Sequence, residues 1–178
     1  MKNVLIVSGH TDTVSDSVVN RTILDVLAEQ LPEARLDYLD RLYPDFKIDA
    51  AAEQQKLLWA DVVVLQFPVF WFSFPSIMHR WMEQTFLHGF SHGASGDKLH
   101  GKKLVLSYTS GAPAEAMSFE PFFEFVRAAC GFTGMEYAGS IHTGGVSYHM
   151  RQDPALLSEM KQKAHSHAAK LLTLLQEA

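Results

Sequence analysis

The sequence predicts a doubly wound α/β domain, a five-stranded parallel sheet of order 2-1-3-4-5 held between two layers of helices. Three observations carry this. Five short apolar runs alternate with stretches of helical periodicity, the pattern of a parallel sheet covered on both faces. The run Val62-Val63-Val64-Leu65-Gln66-Phe67 is almost continuously apolar and β-branched, as a strand buried on both sides must be. A short strand followed by a polar loop opens the chain, where such folds place their first ligand-binding turn.

Taken in order, Val4 to Ser8 is the first strand and Gly9-His10-Thr11-Asp12-Thr13 its polar loop. Helical spacing follows, with Val19, Ile23, Val26, Leu27 and Leu31 on one face until Pro32 breaks it. The free N–H groups and dipole at the start of such a helix favour an anion. The loop matches neither a dinucleotide fingerprint nor a P-loop. It offers Ser15 and Ser17, with Asn20 a turn further on, and these suit either an anion or plain N-capping by Ser15 or Asp16. Arg35 to Leu39 reads as the second strand, Asp40 to Asp49 as irregular, and Ala50 to Trp59 as a helix. The third strand empties into Pro68-Val69-Phe70-Trp71-Phe72. A helix then starts after Pro75, carries Ile77, Met78, Trp81, Met82 and Phe86 at helical spacing, and ends near His88-Gly89.

The glycine-rich stretch from Gly89 to Gly101 reads as a surface or interface loop. Lys103 to Tyr108 is the fourth strand, with Thr109-Ser110-Gly111-Ala112-Pro113 as a tight turn at its end. Phe119 to Cys130 is an aromatic-rich helix closed by Gly131 to Gly134. Met135 to Ile141 is the fifth strand, and the last helix runs from about Pro154 to Gln176.

At 178 residues the chain is expected to form one domain over 1–178, with 47% hydrophobic and 20% charged residues, ordinary for a globular protein. A formal net charge of −5 argues against nucleic acid as a partner. With Cys130 as the only cysteine no intrachain disulfide can form, and the expected location is cytoplasmic.

Three loops should meet at the carboxyl edge of the sheet. The first brings hydroxyls and amides, the second aromatic walls, and the third a small turn that lets backbone approach a flat ligand. Together they suit one phosphorylated, planar, redox-capable molecule. The aromatic loop could otherwise be tucked into the core or covered by a dimer partner. Other chemistries find little support. The nine histidines contain no H-E-x-x-H, and His88-x-x-x-His92 falls in the glycine-rich loop, so no metal ligands are assigned. His165-x-His167 reads as a solvated helix face. Ser8 and Ser110 lack G-x-S-x-G, and Cys130 reads as an inert core thiol.

Several runs resemble the flavodoxin-like NAD(P)H:quinone oxidoreductases. They are Leu42-Tyr43-Pro44-Asp45-Phe46-Lys47-Ile48-Asp49, Glu53-Gln54, and Gln66-Phe67-Pro68-Val69-Phe70-Trp71-Phe72-Ser73-Phe74-Pro75. Phe86 to Gly101, Leu99-His100-Gly101-Lys102, Gly9-His10 and Ser17-Val18-Val19-Asn20 extend the likeness over residues 4 to 112. The branch most similar is that of bacterial quinone reductases that include ancillary subunits of glutathione-gated potassium-efflux systems.

The resemblance implies a flavin, FMN or else FAD, held at a homodimer interface, with the shorter chain leaning toward FMN. His10, Ser15, Ser17 and Asn20 would hold its phosphate side, Pro68, Val69, Phe70, Trp71 and Phe72 its ring, and Thr109, Ser110 and Gly111 would match the family's T-T-G-G turn. It further implies a two-electron ping-pong cycle, in which NAD(P)H passes hydride to flavin N5 and a quinone-like acceptor then takes the electrons. The alternative it implies is a regulatory subunit docked on a potassium-efflux transporter, peripheral to the inner membrane. The chain departs from the family in reading Thr109-Ser110-Gly111-Ala112, in carrying an extra residue between His10 and Ser17, and in lacking the tyrosine–histidine pair of the longer loop. No acid/base residue is therefore assigned; Tyr148 and His149 are near in the chain, but no motif places them.

Overall fold

The structure, a computed structural model, describes residues 2–178. Strands β1 (Val4–Ser8), β2 (Arg35–Tyr38), β3 (Val62–Pro68), β4 (Lys103–Thr109) and β5 (Glu136–Thr143) form one parallel sheet in the expected order β2-β1-β3-β4-β5. Helices α1 (Val19–Gln30) and α6 (Pro154–Glu177) cover one face. Helices α3 (Ala50–Trp59), α4 (Ser76–Thr85) and α5 (Glu124–Thr133) cover the other, and α2 (Leu39–Leu42) is a single helical turn between β2 and α3. No helix among the described residues is long and apolar enough to cross a membrane.

Successive side chains of a strand point to opposite faces, so the covered central strands are apolar on both. Leu5, Val7, Val63, Leu65, Phe67, Leu104 and Leu106 pack under α3, α4 and α5. Val4, Ile6, Val62, Val64 and Val105 pack under α1 and α6. On this second face the pattern changes at the carboxyl ends, where Ser8, Gln66 and Ser107 pair in one register row across β1, β3 and β4. All three are buried, so the sheet carries a polar row directly beneath its loops.

Several boundaries differ from the sequence reading. Leu39 leaves β2 and opens α2, because its fully buried side chain serves the core better from a helical turn than from a four-residue edge strand. α4 stops at Thr85 rather than near His88, with Phe86 in a non-helical conformation and its N–H donating to Met82 O at 3.0 Å. The aromatic helix begins as a 3₁₀ turn over Glu120–Phe123, with Pro121 at its start, and α5 then runs through Gly131 to end where Gly134 adopts φ 71°. That left-handed C-terminal position favours glycine. β5 extends two residues further, to Thr143.

Candidate functional site

The three loops after β1, β3 and β4 meet at the carboxyl edge, and their residues divide between two adjoining recesses. The first is lined by His10, Ser17, Asn20, Pro68, Phe70 and Thr109, joined by Asp16, Val146, Ser147, Tyr148 and Arg151. The second is lined by Val69, Trp71, Phe72, Ser110 and Gly111, joined by Ala112 and Phe119. The same two loops thus divide between the recesses, Pro68, Phe70 and Thr109 in the first and Val69, Trp71, Phe72, Ser110 and Gly111 in the second. Ser15 lines neither; it is exposed, and its N–H donates to Asp12 Oδ1 at 2.8 Å.

The first recess is built around the start of α1. Neither Ser15 nor Asp16 caps this helix. Val18 stands at the N-cap with no side-chain cap bond, and Ser17, Val18, Val19 and Asn20 line the recess. Apart from the Arg21 N–H, which Ser17 takes, the first-turn N–H groups and the positive end of the dipole are left toward it. Ser17 Oγ accepts from Arg21 N–H at 3.0 Å, which leaves the Ser17 hydroxyl proton to donate. His10 is buried, and its Nδ1 accepts from Asp12 N–H at 3.0 Å, so Nε2 carries the proton. Burial holds its pKa below the usual histidine value against the pull of Asp16, Asp40 and Asp12. The imidazole is therefore a neutral donor.

The second recess is walled by an unusual turn. Phe70 N–H donates to Ser73 O at 3.1 Å and Ser73 N–H to Phe70 O at 3.0 Å, closing a two-residue loop on Trp71 and Phe72. Both stand at positive φ, 49° and 64°. That is the signature of a type I′ turn, which asparagine and glycine normally occupy. Two aromatics here cost about 1–3 kcal/mol each in backbone strain, and such strain clusters at binding sites. Trp71 is 93% exposed, so it lines the recess as an outward-standing rim and not as a buried wall. Phe72 packs on Phe119 at 6.4 Å and Phe122 at 5.2 Å between ring centroids.

The third loop splits its two hydroxyls by role. Ser110 Oγ donates to Ala112 O at 2.8 Å and accepts from His142 Nε2 at 2.8 Å, while its N–H donates to Thr143 O. Its donors are spent inside the protein. Thr109 Oγ1 instead accepts from Asn20 Nδ2 at 2.9 Å, and its own proton is free. Gly111 is not held by its backbone geometry, since a Cβ there would meet Ser147 at an ordinary 3.6 Å. Gly144 is: a Cβ would come within 2.4 Å of Ala114 N, so this glycine lets the turn after β4 lie against the end of β5.

Sequence reasoning missed Ser147, Tyr148 and Arg151 as lining groups. Arg151 Nη1 donates to Asp16 Oδ1 at 3.1 Å, Nη2 donates to the Tyr148 hydroxyl, and the guanidinium lies 3.5 Å from the Tyr148 ring centroid. This puts a cation on the rim of the first recess. The rule that ligands sit at carboxyl ends of strands applied equally to the segment after β5, and would have found them. His149 is exposed and lies outside the lining. Two other readings change as well. His167 is 1% exposed rather than solvated, and His165 keeps the exposed face. Cys130 is buried as expected, and burial pushes its thiol pKa up to about 11.

Fold and site together define an α/β protein with a ligand cleft at the carboxyl edge of a doubly wound sheet. The family model described as flavodoxin-like fold matches residues 2–168, and the chain belongs to that family. Solved structures of the same shape include a thermophilic tryptophan halogenase of S. violaceusniger, 27% identical over 92% of this chain and 96% of that one, with TM-score 0.79. General stress protein 14 of Treponema denticola, in complex with FMN, is 24% identical over 97% and 99%, with TM-score 0.82. An NADPH-quinone reductase of P. pentosaceus is 20% identical over 92% and 98%, with TM-score 0.68.

Proposed function

We propose that this chain is a flavin-dependent NAD(P)H oxidoreductase that passes two electrons to a quinone-like acceptor by a ping-pong cycle. The observation that carries the reading is the pairing of recesses, one rich in hydrogen-bond donors and the other aromatic, along the same two loops. A flavin mononucleotide has that same division, an anionic phosphate tail on a flat ring. The donor set fits it. The remaining N–H groups at the start of α1, the Ser17 and Thr109 hydroxyls and the Arg151 guanidinium suit a phosphate and its polyol tail. Val69, Phe72, Phe119 and the Ser110-Gly111 backbone suit an aromatic ring system. The likeness to an FMN-bound protein and to quinone reductases supports the same assignment.

A bound flavin would supply hydride acceptance and donation, which no side chain can perform. The chain's own part is to hold and shield. Neutral His10 donates through Nε2–H without placing a full charge in the recess. Trp71, Phe72 and Phe122 leave an exposed aromatic rim beside the ring recess, and we assign it to a homodimer contact that closes the site. Gel filtration with light scattering should return twice the 19.9 kDa chain mass, and a monomer at all concentrations would remove the dimer.

The deciding measurement is the visible spectrum of the purified protein. Flavin bands that bleach with anaerobic NAD(P)H and return with a quinone are expected. A colourless protein that takes up neither FMN nor FAD would overturn the assignment.

A further inference from the structure

Beneath the first recess runs a chain of five hydrogen bonds through the interior. Thr143 Oγ1 bonds His167 Nδ1 at 2.9 Å, His167 Nε2 bonds Ser107 Oγ at 2.7 Å, and Ser107 Oγ bonds Gln66 Oε1. Gln66 Nε2 then donates to Asn20 Oδ1 at 2.6 Å, and Asn20 Nδ2 donates to Thr109 Oγ1 at 2.9 Å. Gln66, Ser107 and His167 are each at most 1% exposed, and Asn20 is 5%. Water is excluded, so each group must find its partner within the chain.

The chemistry of each link fixes one direction. A carbonyl oxygen only accepts, so Ser107 spends its proton on Gln66, and its oxygen must then accept from His167. That places the His167 proton on Nε2 and leaves Nδ1 to accept from the Thr143 hydroxyl. At the other end, Thr109 accepts from Asn20 and keeps its own proton for the recess. Reversal would require both amides to turn over and His167 to change tautomer together. The chain is therefore all-or-none in direction.

The two ends open on different surroundings. The Thr143 end meets a separate cavity lined also by Lys163, Lys170 and Glu115. The Thr109 end meets the recess with the start of α1 and Arg151, where an oxygen-rich ligand can accept the Thr109 proton.

We propose that His167 is a positioning residue whose Nε2–H tautomer, set by the Ser107–Gln66 link, makes the Thr109 hydroxyl a donor toward an acceptor oxygen of the ligand. This rests on the flavin reading for the ligand's identity but not for the internal chain. The test uses imidazole-¹⁵N-labelled, flavin-free protein. His167 is expected with its proton on Nε2 and with Nδ1 bare. Ser107→Ala, which removes the hydroxyl linking Gln66 to His167, should give a tautomer mixture and shift the side-chain amide signals of Asn20 and Gln66. Ser107→Thr, which keeps a hydroxyl there, should restore the original spectrum. Titrated with FMN, Ser107→Ala should bind about 3- to 10-fold more weakly and Ser107→Thr normally.

A proton on Nδ1 in the unaltered protein would overturn the proposal. So would a Ser107→Ala effect confined to His167, or FMN affinity unchanged by Ser107→Ala. Should no form bind FMN, the flavin reading falls, and the tautomer and amide signals of the flavin-free protein still decide this one.

Discussion

Two buried polar clusters lie on opposite faces of the sheet, and they follow opposite rules. Under α3 and α4, the Glu53 carboxylate accepts from the Tyr43 hydroxyl at 2.6 Å, Trp81 Nε1–H at 2.7 Å and the Lys56 ammonium at 2.6 Å. Lys56 also donates to Asp37 on β2 at 2.7 Å. This cluster is charged and closes on itself, tying β2, α3 and α4 together. The chain from Thr143 to Thr109 on the other face is neutral and opens at both ends into cavities. A closed cluster fixes architecture, whereas an open one hands its last donor to whatever occupies the recess.

The largest expected effect tests the closed cluster. Glu53→Ala leaves Trp81 N–H, the Tyr43 hydroxyl and one face of Lys56 unpaired, and breaking a buried pair from one side costs about 3–5 kcal/mol. Urea unfolding should show that loss, while flavin uptake by the folded fraction stays normal. A cost below about 1 kcal/mol would mean that water replaces the carboxylate and that the cluster is not closed.

Acid should separate the two clusters next. Burial holds the His167 pKa down to about 3, whereas an unfolded histidine titrates near 6.5. Below pH 6.5 the unfolded chain takes a proton that the native one refuses, so stability present at neutral pH falls as pH drops toward 3. Between pH 7 and 5 the loss from this residue is about 2 kcal/mol. Asp37 acts in the opposite sense. Burial, with the Glu53 carboxylate nearby, raises it to about 6. Its contribution is complete below about pH 4 and disappears as pH rises through 6. Burial would raise Glu53 too, but hydrogen bonds from Lys56, Tyr43 and Trp81 outweigh it and hold its pKa low. Urea midpoints between pH 7 and 5 should therefore flatten in His167→Gln and steepen in Asp37→Asn. An unchanged slope in His167→Gln would show that the native imidazole charges freely and that the open chain is wet.

The closed cluster and the open one were not equally legible in the sequence. Strand order and the five longer helices follow from period and composition, because the apolar runs of β1, β3 and β4 suit strands covered on both faces, whereas the single turn α2 fell in a stretch read as irregular. The position of the loops follows from that order, and with it the meeting of His10, Ser17, Pro68 and Thr109. His167 was misread because a histidine in a lysine-rich helix has the local pattern of a solvated face. Its burial depends on Ser107 and Thr143, both far off in sequence. The capping of α1 was misread for a related reason: the loop continues past Ser15, whose N–H donates to Asp12, and the helix starts late enough that Ser17, not Ser15 or Asp16, bonds a first-turn N–H. Glu53 and Gln54 appeared only as part of a family resemblance, because nothing local marks a glutamate as the acceptor for groups 10 and 28 residues away. Tyr148 and Arg151 needed only the rule for carboxyl ends applied to one more strand.

The smallest expected effect sharpens the comparison at the site itself. Strain lies on the turn Trp71-Phe72, next to the open cluster, and a turn with both central residues at positive φ is satisfied by asparagine followed by glycine. Trp71→Asn with Phe72→Gly should relieve that strain and raise stability by about 1 kcal/mol in urea unfolding, net of the lost Phe72 packing on Phe119 and Phe122. Trp71→Ala alone should leave stability within about 0.5 kcal/mol, because the side chain is 93% exposed. Both variants should take up less FMN and dimerise less readily. The aromatic turn would then be a case of stability given up for a binding surface. If the double variant instead lost stability and kept its flavin, the aromatics would be holding the fold. The division between a closed cluster that fixes architecture and an open one that serves the site would then fail at the turn.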